Sequence, residues 1–260
     1  MAYLKFNKGE LVNLEYSLKR ELLSTNHDGG YMNTTIVCCN TRKYHGLLVL
    51  PVANFNNEKF VLLSSLDESL IQPGKAFNLG IHRYGDIYEP RGHKYIREFE
   101  IDKCVSITYR VGGMVLKKEM MLAHNKGQYL ARYTLLEANS PTTLQLKPFL
   151  AFRHIHYLSK SNLNADRSAI EIQGGRAFKM YEGFPELNLQ LSVKADYVSN
   201  PDWYYNIEYK EERRRAYESA EDLFVPGYFE FPLKKGQSVV FSASTNAESP
   251  AGLNTKFENY

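Results

Sequence analysis

Apolar and polar positions alternate with period two at several places along the chain. Val105, Ile107, Tyr109 and Val111 alternate with Ser106, Thr108 and Arg110. Tyr129, Ala131, Tyr133 and Leu135 share one parity, and Leu144 and Leu146 alternate with Thr143, Gln145 and Lys147. Leu187, Leu189, Leu191 and Val193 alternate with Asn188, Gln190, Ser192 and Lys194. Successive side chains of a strand point to opposite faces, so each run predicts a strand with one face on a core and the other in solvent. Turn signals separate the runs: Gln72-Pro73-Gly74, Gly112-Gly113, Ala138-Asn139-Ser140-Pro141, Gly174-Gly175 and Lys234-Lys235-Gly236. Gly112-Gly113 between two strong strands predicts a tight hairpin. Helical signal is scarce, and the one candidate is Tyr209 to Ala220, which is charged and free of Gly and Pro. The pattern predicts an all-β fold, a large antiparallel β-sandwich of two sheets with at most one or two short helices. Residues 1–244 are expected to form the sandwich. Residues 245–260 are polar and turn-rich, and read as a linker toward further chain.

Composition narrows the class. Hydrophobic residues make up 43% and charged residues 23% of the 260 positions, as in an ordinary globular domain. Aromatics reach 13%, with 19 Tyr and 14 Phe, and their flat faces suit both strands and sugar stacking. The net charge of +3, from 32 basic and 29 acidic residues, is too balanced for a nucleic-acid surface. The basic run Arg213-Arg214-Arg215 follows Glu211-Glu212 and is neutralised locally. The three cysteines, Cys38, Cys39 and Cys104, make neither a disulfide framework nor a CxxC zinc pattern. No apolar stretch approaches the ~18 residues of a membrane span. Met1 to Glu10 lacks the features of a signal peptide, so the expected compartment is the cytoplasm.

Candidate chemistry concentrates between Ser24 and Val49. Asp28-Gly29-Gly30 is a turn signature. Asn40, Thr41, Arg42, Lys43, Tyr44 and His45 then form a polar block between two apolar runs. Were the block extended, Asn40, Arg42 and Tyr44 would share one face. An amide and a guanidinium fork can bond vicinal hydroxyls, and a phenol ring can stack on the C–H face of a sugar. The competing reading makes Asn40 and Arg42 partners of buried carbonyls at a bend, with Tyr44 in the core. Spacing alone favours that second reading.

The same block carries a family resemblance. Thr25-Asn26, Gly29-Gly30-Tyr31 and Asn40-Thr41-Arg42-Lys43-Tyr44-His45-Gly46-Leu47-Leu48-Val49 resemble the Thr-Asn-Gly-x-Gly-Gly-Tyr and Asn-Thr-Arg-Arg-Tyr-His-Gly-Leu-Leu-Val stretches of the N-terminal domain of bacterial and archaeal glycogen debranching enzymes. Val61-Leu62-Leu63-Ser64-Ser65-Leu66-Asp67-Glu68 is similar to a further family block. So are Arg153-His154-Ile155-His156, Trp203 with Glu211 to Arg214, and Asp222 to Gly227. The match runs in order along nearly the whole chain. His27-Asp28, Lys43 and His154 depart from it, so no role that needs a carboxylate at position 154 carries over. The resemblance implies a β-sandwich preceding an (α/α)-barrel with amylo-α-1,6-glucosidase chemistry. The paired carboxylates of that glycoside hydrolase chemistry would lie in the barrel. No catalytic residue is therefore assigned within this chain. The implied partners are the C-terminal catalytic domain and, through the whole enzyme, α-glucan; no cofactor is implied.

Contacts to glycan or to the neighbouring domain are expected from Asn26, Tyr31, Asn40, Arg42, Tyr44 and His45, with Arg153, His156 and Trp203 second. Asp67 and Glu68 are adjacent, would point to opposite strand faces, and are expected in a solvated turn. His154 and His156 could share a strand face, but no third ligand stands at recognisable spacing, so no metal is expected. Cys38-Cys39 is expected in an apolar strand as inert thiols. Trp203 is either a sugar platform or a core anchor. Two rival functions remain open: an independent carbohydrate-binding module, and a purely structural interface domain.

Overall fold

The structure, a computed structural model, describes residues 3–124 and 126–259. Among them, nineteen strands follow in chain order: β1 (Leu4–Asn7), β2 (Glu21–Thr25), β3 (Tyr31–Thr35), β4 (Gly46–Val52), β5 (Glu58–Gln72), β6 (Lys75–Asn78), β7 (His82–Tyr84), β8 (Ile87–Glu89), β9 (Ile96–Ile101), β10 (Val105–Val111), β11 (Met114–Leu122), β12 (Gln128–Glu137), β13 (Thr143–His154), β14 (Ile170–Ile172), β15 (Gly175–Phe178), β16 (Leu187–Leu191), β17 (Asp196–Glu208), β18 (Ala220–Pro232) and β19 (Ser238–Ser244). Four short helices join them, α1 (Lys8–Leu11), α2 (Leu14–Leu18), α3 (Lys210–Arg214) and α4 (Leu253–Glu258).

The strands form two antiparallel sheets. One has nine strands in the order β1-β9-β10-β11-β12-β19-β16-β15-β14. The other has ten, in the order β2-β3-β4-β5-β13-β18-β17-β7-β8, with β6 also paired to β5. The β10–β11 hairpin turns at Gly112 and Gly113, with φ of 57° and 77°. Two successive positive φ values are what a two-residue hairpin turn demands and what Gly supplies without strain.

The inner faces pack into one core. Ile107, Tyr109, Leu116, Met120, Tyr129 and Tyr133 of the nine-stranded sheet meet Leu62, Leu70, Leu144, Leu146, Phe224, Phe229 and Phe231 of the ten-stranded sheet. The predicted core parity of β10, β12, β13 and β16 holds in each case. Asn188 and Gln190, expected in solvent, are buried instead. Gln190 donates through Nε2 to the carbonyls of Gln173 and Glu248 and accepts from the Glu248 N–H. The residues after β19 therefore fold back over β16. The segment read as a linker contains α4, whose Leu253 and Phe257 are buried against Leu130 and Val240 on the outside of the nine-stranded sheet.

The helix expected over Tyr209 to Ala220 covers only Lys210–Arg214, because β18 already begins at Ala220. The other three helices had no periodicity to announce them, being four to six residues long. Asp67 and Glu68 lie within β5 rather than in a turn, and both are buried. They do point to opposite faces. Glu68 reaches inward to Lys118 Nζ at 2.6 Å and accepts from Tyr133 at 2.6 Å, and Asp67 pairs with His82 at 2.9 Å.

The outer face of the ten-stranded sheet carries a second apolar cluster. Val49, Val61, Phe149, Ala151, Ile207, Leu223 and Val225 are each at most 2% exposed, and Tyr31, Tyr84, Ile155 and Tyr204 pack around them. An ordinary sandwich leaves such a face to solvent. Here it is a small core of its own, and the polar block belongs to its cover.

Candidate functional site

Residues 36–45, which join β3 to β4, are a loop with turns. Cys38 has φ 59°, and its N–H donates to the Thr35 carbonyl at 2.8 Å. A second turn closes where the His45 N–H donates to the Arg42 carbonyl at 3.1 Å. The extended block that would align Asn40, Arg42 and Tyr44 on one face does not form. Cys38 and Cys39 sit in this turn rather than in a strand, and burial pushes the Cys39 thiol up to about 12.

Each side chain of the block has its own task. Asn40 is buried, accepts from Thr34 Oγ1 at 2.8 Å and donates to the Ser64 carbonyl at 3.0 Å, so it ties the loop to β3 and β5. Arg42 donates through Nε to Glu21 Oε1 at 2.7 Å. His45 is fully buried. Its Nδ1 accepts from the Thr41 N–H at 3.1 Å, and its Nε2 faces Glu21 Oε2 at 3.4 Å. An accepting Nδ1 fixes the proton on Nε2, toward the carboxylate. Hydrogen bonding from His45 and then from Arg42 holds the Glu21 carboxyl down at about 2. Burial lowers the pKa of His45 itself.

Arg153 on β13 anchors the loop from below. It pairs with Glu221 on β18 through Nε and Nη2, and donates to the Lys43 carbonyl at 2.7 Å. Glu221 also accepts from the Tyr209 hydroxyl and from Ser159 N and Oγ, at 3.1 and 2.9 Å. On the other flank the Tyr31 hydroxyl, its pKa raised by burial to about 12, donates to the Tyr44 carbonyl at 2.9 Å. The Glu211 N–H donates to the Thr41 carbonyl at 2.9 Å, which fastens α3 to the loop.

What reaches the surface is a cluster around Tyr44. Its hydroxyl lies 3.2 Å from His156 Nδ1, and the two rings meet edge to face at 5.6 Å. Lys43 Nζ donates to the His156 carbonyl at 3.0 Å and stands 5.5 Å from the Tyr44 ring and 5.9 Å from the Tyr217 ring. Tyr217 is 55% and Tyr157 71% exposed.

Of the sequence candidates, Tyr31, Tyr44, Arg153 and His156 come together here, above Asn40, Arg42 and His45. Asn26 serves its own turn: its Oδ1 accepts from the N–H groups of Asp28 and Gly30, and its Nδ2 donates to the Lys126 carbonyl at 3.0 Å. Trp203 is buried against Phe224 at 5.4 Å, a core anchor rather than a platform. His154 turns to Glu58 at 3.2 Å and to the Phe60 ring. No group of three or more His, Cys, Asp or Glu stands close enough to hold a metal among the described residues. No helix among them is long and apolar enough to cross a membrane. Sequence reasoning missed Glu21, Glu221 and Tyr217. Only the tyrosine carried a signal, as an aromatic within an otherwise charged run.

Fold and loop together define a large antiparallel β-sandwich whose signature block is held as a rigid cover on its second core. The family model for the N-terminal domain of glycogen debranching enzymes matches residues 20–240, and the chain belongs to that family. No curated protein sequence matches the chain significantly. Among solved structures, a bacterial glucoamylase complexed with acarbose is similar at TM-score 0.39 and 8% identity over 92% of this chain and 37% of its own. A polysaccharide lyase is similar at TM-score 0.31 and 11% identity over 91% of this chain and 34% of its own. The chain thus spans about a third of the length of either.

Proposed function

We propose that the chain is the non-catalytic N-terminal domain of a glycogen debranching enzyme, an amylo-α-1,6-glucosidase acting in glycogen breakdown. It would pack on a catalytic helical domain and contact α-glucan beside it. The family match over residues 20–240 carries this reading. The state of the carboxylates around the loop supports it. Glycoside hydrolysis needs two carboxyl groups free to act across one bond. Glu21 is bound by Arg42, and Glu221 by Arg153, Tyr209 and Ser159. The three free thiols suit a reducing compartment, and we assign the protein to the cytoplasm.

The experiment is a comparison of glucose release from a branched limit dextrin by the 260-residue chain and by its full reading frame. The full protein is expected to release glucose and the chain alone none. Release by the chain alone would overturn the non-catalytic assignment. No release by either would overturn the debranching reading. The exposed rings of Tyr157 and Tyr217 favour a second reading, an independent glycan-binding module. Glycogen would then retard the isolated chain in affinity electrophoresis.

A further inference from the structure

We propose that Tyr44, Lys43, His156 and Tyr217 form a surface subsite for the neutral sugar rings of an α-glucan. This rests on the debranching-enzyme reading and names the contact surface within it.

Three observations carry it. The first is exposure. Tyr217 is 55% exposed and His156 is exposed, while Tyr44 is half-buried, so phenol and imidazole surface stands open beside the Lys43 ammonium group, with the Arg215 guanidinium 4.9 Å from the Tyr217 ring. Aromatic faces left in water are what the C–H face of a sugar covers.

The second is rigidity. The Lys43 carbonyl accepts from Arg153 Nη2 at 2.7 Å, the Lys43 N–H donates to Glu212 Oε1 at 3.4 Å, and the Tyr44 carbonyl accepts from Tyr31 at 2.9 Å. Arg153 and Glu212, the one buried residue of α3, belong to the buried framework. The platform's backbone is pinned from beneath by groups that take no part in the surface, so little ordering is left to the moment of binding.

The third is the donor set. Lys43 uses one of its three N–H groups on the His156 carbonyl, which leaves two for hydroxyl oxygens. The Tyr44 hydroxyl and the His156 ring add groups that can donate or accept. Rings for the C–H face beside donors for vicinal hydroxyls are the two halves of sugar recognition. The distances of 5.5 and 5.9 Å from Lys43 Nζ to the two tyrosine rings place both halves side by side.

The test is titration of the chain with maltoheptaose, followed by amide chemical shifts and by calorimetry. Shifts are expected at residues 43–45, 156–157 and 217, with affinity little changed by salt. Tyr217→Ala should weaken binding about five- to tenfold, the size of one lost stacking contact, and Tyr217→Phe should bind like the parent. Tyr217 is mostly in solvent, so these variants keep the fold. Perturbations confined to another face, equal affinity of Tyr217→Ala and parent, or no binding would each overturn the subsite. So would binding that collapses with salt and is competed by inorganic phosphate, which would mark the Lys43 neighbourhood as an anion site. None of these results bears on glucose release by the full reading frame, so failure of the subsite and failure of the debranching reading are told apart.

Discussion

Arg42 and Arg153 make the same kind of ion pair at different depths. The Arg42 and Glu21 side chains are 33% and 29% exposed, whereas those of Arg153 and Glu221 are 5% and 0%. Exposed pairs are screened and contribute about 0–1 kcal/mol. Removing one partner of a buried pair leaves an uncompensated charge and costs about 3–5 kcal/mol. Urea unfolding should therefore show Arg42→Ala within about 1 kcal/mol of the parent and Glu221→Gln destabilised by several times as much. Equal losses would mean the depth difference has no energetic consequence.

Glu21 also sets a pH response. Its carboxyl titrates near 2 in the fold and near its ordinary value of 4.5 when unfolded. A depressed carboxylate contributes stability above its unfolded pKa and loses it as pH falls through the folded one. His45, also depressed, acts in the same direction, because the fold resists its protonation below the ordinary 6.5. Glu21→Gln should flatten the fall in urea midpoint between about pH 4.5 and 2, and a parallel curve would rule the pair out.

Asn40 marks the limit of reading such residues from sequence. The block announces polarity, but its partners, Thr34 and Ser64, lie 6 and 24 positions away, and nothing local says the chain turns at Cys38.

At the scale of elements, strands with one wet face were legible and strands with two dry faces were not. Every position from Phe60 to Glu68 of β5 is buried, so its sequence shows no alternation, although it is central to the ten-stranded sheet. Conversely Gln190 sits in an alternating run, yet the chain after β19 covers it. Short helices were hidden for another reason. α1 has only four residues, and its signal lies in the cap, where Asn7 accepts from the Gly9 N–H and Glu10 bonds back to the Asn7 N–H.

Two glycines separate close approach from turn geometry. A Cβ on Gly92 would stand 1.9 Å from the Leu79 carbonyl oxygen, inside backbone that has no room to give. Gly74 turns β5 into β6 with φ 71° and open space around it. Gly74→Ala should lose about 1 kcal/mol in a melting or urea experiment, the strain of a positive φ. Gly92→Ala should lose several times more or fail to accumulate as folded protein.

At the scale of the whole molecule, the two sheets meet in a polar contact deep in the core. Lys118 and Tyr133 of the nine-stranded sheet meet Glu68 of the ten-stranded sheet, and all three are at most 2% exposed. Apolar packing is tolerant of sliding, and a buried ion pair is not, so this contact fixes one alignment of the sheets. Lys118→Met alone should cost about 3–5 kcal/mol, and adding Glu68→Leu should recover much of it. A double-mutant cycle with no coupling would refute the pairing.

The second core under the loop has a consequence for how the domain opens. β5, β13 and β18 have hydrophobic packing on both faces and paired strands on both sides, while β1, β14, β2 and β8 end their sheets. Amides of the three central strands can exchange with solvent only when the whole domain unfolds, and those of the edges exchange through local fraying. A protease or a chaperone meeting this domain would find its grip at the rims. The chain would be released from there inward, leaving the strand that carries Arg153 among the last to let go.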